Sequence, residues 1–151
     1  MRWIILLLFS CCISAIEGHS KITERSPALQ AAIDSMSKYM DAGNFEEAEK
    51  WLNEARVRLG AEPHQKDYFS LRYNEGNFYL KKWQLEAAEP VLLECLQLAR
   101  KSADSTQLVM ANAMMSQLKA EQSLYGASIV YGNEALDYSN SADSLQYYGL
   151  T

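Results

Sequence analysis

Residues 68–100 read YFSLRYNEGNFYLKKWQLEAAEPVLLECLQLAR, two amphipathic segments of similar length joined by a tight break at residues 82–84. In the second segment Leu85, Ala88, Leu92, Cys95 and Ala99 recur at steps of three and four. They share one face of a helix, and the small members of that face admit a close neighbour. Moved back so that position 85 falls on 45, the set lands on Phe45, Ala48, Leu52, Ala55 and Leu59. The first segment carries a frame of its own, Phe69, Arg72, Gly76 and Tyr79. An offset of −40 takes it to Leu29, Ala32, Met36 and Tyr39, and an offset of +39 to Leu108, Ala111, Met115 and Leu118. Matching frames at a near-constant interval predict an all-α chain of repeated helical hairpins rather than one closed bundle.

Working outward, Ser26-Pro27 is a helix start, with Ser able to cap free amides and Pro losing no hydrogen bond at the first helical position. Gly43 supplies a left-handed helix end and Asn44 a cap for the next helix, so the two fold back as an antiparallel pair. Gly60 and Pro63 close that second helix. SADSTQ at 102–107 recurs as SADSLQ at 141–146, again an offset of 39. In each, Asp is followed at the third position by Gln, the spacing of a capping box with Asp in place of Ser or Thr. For the second helix of the third hairpin an offset of 39 selects Leu124, Ala127, Tyr131, Glu134 and Tyr138, and 40 selects Tyr125, Ser128, Gly132, Ala135 and Ser139. The SADS interval favours 39. Pro90 falls near the fourth or fifth residue of its helix, where the first turn tolerates it and one residue later would bend the helix. The resulting organisation is a leader at 1–18, a flexible lead at 19–25, and repeats over 26–151 at about 27–62, 67–101 and 105–140. A partial fourth follows at 144–151, where Leu145, Tyr147, Tyr148 and Leu150 begin a helix expected to fray or to mediate association.

A net charge of −5 opposes binding to phosphate backbones or anionic lipid, and no basic run exceeds Lys81-Lys82, so nucleic acid is set aside. Residues 1–18, MRWIILLLFSCCISAIEG, join one cation at Arg2 to an apolar run shorter than the roughly 20 residues of a membrane span, the form of a secretory signal. Two processing routes stay open. Ala15 offers a small residue to a signal peptidase, while Leu8-Phe9-Ser10-Cys11 resembles a lipobox that would lipidate Cys11, with Phe9 departing from the motif. Once the leader is removed only Cys95 remains, so no internal disulfide is expected.

Chemistry-bearing clusters are not visible. His19 and His64 are solvated and far from any relay partner, Cys95 lies on the apolar frame as a core residue, and Glu46, Glu47 and Glu86 favour helix N-termini. The aromatic residues read as core rather than as a sugar platform. No catalytic residue, metal ligand or cofactor is expected.

Gly76-Asn77-Phe78-Tyr79, and Gly43-Asn44-Phe45-Glu46-Glu47-Ala48 with Ala55, resemble the first helix, turn and second helix of the tetratricopeptide repeat family, in its exported bacterial form. The resemblance runs from about Leu29 to the end. Met36 and Met115 depart from the family's first-helix Gly, Trp83 and Gln122 from its turn Gly, and the interval exceeds the family's usual 34. It implies a right-handed α-solenoid whose first helices line a concave groove for peptides or proteins. The carboxylate clamp of the family's chaperone-binding members is not repeated: Asn74 matches, but Ile33, Ser37, Val109 and Ala113 replace the other positions.

One step off the packing frame, Ile33, Ser37 and Met40, then Tyr73, Asn77 and Lys81, then Asn112, Ser116 and Lys119 are the expected groove residues. Lys81 and Lys119 would give that groove a preference for an acidic ligand. Two functions fit. The chain is a non-enzymatic protein- or peptide-binding scaffold in the periplasm or cell envelope, or it is the sensor segment of a longer membrane-bound signalling protein such as a histidine kinase or transcriptional regulator.

Overall fold

A computed structural model of the chain describes residues 26–61 and 63–139. The expected signal sequence with Cys11, the expected flexible lead and the expected fourth repeat all lie outside the described residues. Among the described residues six helices follow one another: α1 (Pro27–Asp41), α2 (Phe45–Leu59), α3 (Gln65–Lys81), α4 (Leu85–Ser102), α5 (Ser105–Glu121) and α6 (Tyr125–Ser139). The chain is all-α over this range, and no described helix is long and apolar enough to cross a membrane.

The turns set the interval. Gly43, Trp83 and Ser123 each take a left-handed conformation, at φ +73°, +60° and +61°. The residue after each donates its N–H to a carbonyl five positions back: Asn44 to Tyr39 at 2.9 Å, Gln84 to Tyr79 at 2.9 Å, Leu124 to Lys119 at 2.8 Å. With identical turns at positions 43, 83 and 123, the interval is 40 at both steps. The preference for 39 in the second helix of the third hairpin is therefore corrected to 40, and the left-handed residue is Ser123 rather than Gln122, whereas the first-helix residues chosen at 39, Leu108, Ala111, Met115 and Leu118, are all buried in the core. Two positions on α6 support the register of 40. Ser128 accepts a hydrogen bond from Ser116 through its carbonyl at 2.9 Å, and a Cβ on Gly132 would lie 3.3 Å from Ser116 Oγ. The misleading signal was SADS: its first copy forms the link from α4 to α5, and its second lies outside the described residues, so their spacing does not give the interval of the helices.

Helix ends show which local rules hold. Asn44 accepts from the Glu47 N–H at 3.2 Å, as its cap position requires. Ser26 precedes Pro27 as expected but makes no side-chain cap bond. Asp104 caps α5 by accepting from the Gln107 N–H at 3.1 Å. The reciprocal arm of a capping box is absent, because Ser102 Oγ donates to Gln107 Oε1 and accepts the Asp104 N–H instead. His64, read as a solvated link residue, stands at the cap of α3 with Nδ1 accepting from Lys66 N–H at 3.4 Å. Pro90 is the sixth residue of α4, past the turn whose amides have no helical acceptor, so it removes the bond that would reach Glu86.

Two apolar clusters meet at α3. Leu71 and Phe78 join the core of α1 and α2, while Phe69 and Leu80 join the core of α4 and α5. Consequently α3 is apolar on two sides, which is why its sequence does not read as one stripe. Gly76 lets it close on α4: a Cβ there would stand 2.9 Å from Leu92 Cγ and closer still to Cδ2, so the residue it crosses is Leu92.

Arg72, the polar member of the first-helix frame, is explained by its partners. Its Nη1 meets Glu75 Oε2 at 2.7 Å and its Nε meets Glu94 Oε2 at 2.8 Å. Glu75 also pairs with Arg56 of α2, and Glu94 accepts from the Tyr68 hydroxyl. With Glu75 only 3% exposed, the network ties α2, α3 and α4 together where the first and second hairpins join.

A candidate partner-binding cleft

Each helix packs against its neighbours in order, and among the described residues α1 also touches α3 and α3 touches α5. The first helices of the hairpins thus form one continuous layer, with α3 in the middle. Between them runs a cleft of about 500 Å³. Gln30, Ile33, Asp34 and Ser37 line it from α1, and Lys66, Phe69, Ser70, Tyr73 and Asn74 from α3. The start of α5 completes the wall with Asp104, Thr106, Gln107 and Met110. Its floor holds a stacked aromatic pair, Phe69 and Tyr73, with ring centroids 6.2 Å apart and planes at 20°. Amides, hydroxyls, one lysine and two aspartates surround that apolar centre. Such a surface can bond an extended backbone and seat apolar side chains between the bonds.

The expected groove residues divide sharply. Ile33, Ser37 and Tyr73 line the cleft. Met40, at 4% exposure, belongs to the core of the first hairpin, and Asn77 is half-buried on α3 outside the lining. Lys81 pairs with Asp41 of α1 at 2.6 Å. Asn112 is wholly buried with no hydrogen-bond partner for either side-chain atom, Ser116 faces α6, and Lys119 bonds Glu89 of α4 at 2.6 Å and Gln122 at 3.0 Å. Asn112 and Ser116 follow from the offset of 39 applied to Tyr73 and Asn77, since a slip of a single position rotates a helical side chain by about 100°. An offset of 40 makes Ala113 and Gln117, both exposed, the counterparts of Tyr73 and Asn77. The acidic-ligand preference also loses its basis, because Lys81 and Lys119 are already compensated by carboxylates within the fold.

Gln30, Asp34, Lys66, Asn74, Gln107 and Met110 are lining residues that the off-frame rule missed. Helical spacing carried the signal: Gln30, Asp34 and Ser37 are successive members of one helix face, as are Lys66, Ser70, Tyr73 and Asn74.

Cys95 is fully buried, and burial pushes its thiol up to about 12, so it stays protonated and unreactive. Its reading as core is correct. Glu89 titrates below the ordinary carboxylate value because Lys119, then Gln122, donate to it, which fits a structural pair rather than a proton-transfer group. No family model, no curated protein and no solved structure matches the chain.

Proposed function

We propose that the chain is a right-handed α-solenoid of the tetratricopeptide type, exported to the periplasm or cell envelope, that binds a protein or peptide partner without catalysing a reaction. The cleft across α1, α3 and α5 carries this reading: three successive first helices line it, and it combines a stacked aromatic pair with amide, hydroxyl and charged side chains. Three helix axes about 10 Å apart span roughly 20 Å, which matches about six residues of extended peptide at about 3.3 Å each. Three turns of identical hydrogen bonding at a fixed interval support the repeat assignment.

The test is selection of peptides from a displayed random library on the exported form, followed by affinity measurement with variants that crowd the cleft. Ser37→Arg and Asn74→Arg, each checked for native helicity, should weaken the selected peptides at least about tenfold (~1.4 kcal/mol). Lys81→Ala, outside the cleft, should leave them unchanged. Equal binding by parent and both crowding variants excludes this cleft as the site.

A further inference from the structure

A second cavity, of about 460 Å³, opens between α5 and α6. Val109, Ala113 and Ser116 line it from α5, and Gly132, Ala135, Leu136 and Ser139 from α6. Subtracting 40 gives Phe69, Tyr73 and Gly76 of α3 and Leu92, Cys95, Leu96 and Ala99 of α4. That is the surface on which α5 itself packs: Phe69, Leu92, Cys95, Leu96 and Ala99 share one core with Leu108, Ala111 and Met115. The cavity is therefore the same seat, one hairpin later. Its walls are incompletely covered, since Leu136 is 62% exposed whereas its counterpart Leu96 is 3% exposed.

The chain contains a segment built for this seat. SADSTQ has a defined task at 102–107, where Ser102 ends α4, Ala103 turns at φ +52° and Asp104 caps α5. SADSLQ at 141–146 follows α6 at a similar remove and repeats all but one residue. Aligned on this motif, Tyr147 stands where Leu108 stands and Leu150 where Ala111 stands, the two positions through which α5 first enters the core. We propose that residues 144–151 form a short helix that docks on the α5–α6 seat, with Tyr147 and Leu150 against Leu136, Ala135 and Val109. So short a helix is unstable alone in water, so folding and docking are one event. It rises about 12 Å, which covers the end of the seat near Leu136 and Ser139. The other end, where Tyr125 and Ile129 are 65% and 63% exposed, lies beyond the reach of these eight residues.

Disulfide trapping in the full chain tests the docking. In a background with Cys11→Ser and Cys12→Ser, Leu136→Cys with Tyr147→Cys should oxidise within one chain at least about tenfold faster than the far-end pair Tyr125→Cys with Tyr147→Cys. The helicity of both reduced pairs is compared with that of the parent. A disulfide formed only between chains means that a second copy fills the seat, and equal rates for the two pairs mean that residues 144–151 do not dock; either overturns the proposal. As a second readout that needs no cysteine, Leu150→Asp should raise hydrogen exchange over residues 132–139 severalfold and leave α1 to α3 unchanged. Unchanged exchange over 132–139 likewise overturns it.

Discussion

At the level of single residues, the turn positions carry strain that glycine would relieve. Gly43 adopts its left-handed φ freely, but Ser123 holds φ +61° with a side chain present. Non-glycine residues in this region bear about 1–3 kcal/mol of strain, offset in a glycine variant by the greater entropy of its unfolded chain. Ser123→Gly should therefore stabilise the protein by about 0.5–1 kcal/mol in urea titration. Gln122→Gly should do the opposite, because Gln122 Nε2 donates to Glu89 at 2.8 Å and its Oε1 accepts from Lys119. If Gln122→Gly were the stabilising variant, the interval of 40 would be wrong. The same one-position question separates what could and could not be read in advance. Met36, Leu52, Cys95 and Ala99 were recognisable as core from spacing alone. Asn112 and Lys119 were not recognisable as inward-facing, since a polar residue gives no hint of which side of a helix it occupies until the register is known.

Between elements, the Arg56–Glu75–Arg72–Glu94 network adds a polar tie to the apolar contacts through which the first two hairpins meet. Glu75 is buried between two arginines, and removing it leaves both guanidinium groups short of an acceptor. Glu75→Ala should cost about 2–3 kcal/mol, less than the full loss for a buried pair because Arg72 keeps Glu94. The network also predicts a pH response. Burial of Glu94 raises its affinity for a proton, but donors from Tyr68 and Arg72 outweigh burial and hold its carboxyl below the ordinary 4.5. The unfolded chain then binds the proton more readily, so this stabilisation is present above about pH 4.5 and is lost as the pH falls through the folded value. Glu94→Gln should flatten the decline in stability measured by urea titration between about pH 5 and pH 3. A variant that declines as steeply as the parent would show that other carboxylates dominate there. Arg72 stood out in the sequence as an exception to the frame, and Glu75, three residues on along the same helix, was within its reach on spacing alone; Glu94, 22 positions away, becomes its neighbour only once α3 packs on α4.

Over the whole molecule, stability is distributed along the stack rather than concentrated in one core. α3 contributes to both apolar clusters, whereas α6 contributes no buried residue and leaves Tyr125, Ile129, Val130 and Leu136 exposed. A chain in which each helix meets only its near neighbours behaves approximately as a row of units coupled to those beside them. Losing α6 uncovers one side of α5, including its contacts with Tyr131 and Ser128, and breaks the Arg100–Glu134 pair with α4. Losing α3 instead dismantles both clusters and the arginine network at once. The row should therefore open from the α6 end while its middle remains folded, and a single two-state free energy should not describe the molecule. Native-state hydrogen exchange at low urea measures this directly. Amides of α6 should exchange through an opening at least about 2 kcal/mol less costly than the one that exposes α3 and α4, roughly a 30-fold difference in protection. The gap should persist in the Leu150→Asp variant and, under the docking proposed for residues 144–151, widen there, because that docking would protect α6 and nothing further up the stack. Protection of α6 equal to that of α4 in a dilute, verified monomer would mean that α6 unfolds only with the whole molecule, and that the openness of its apolar face has no energetic consequence.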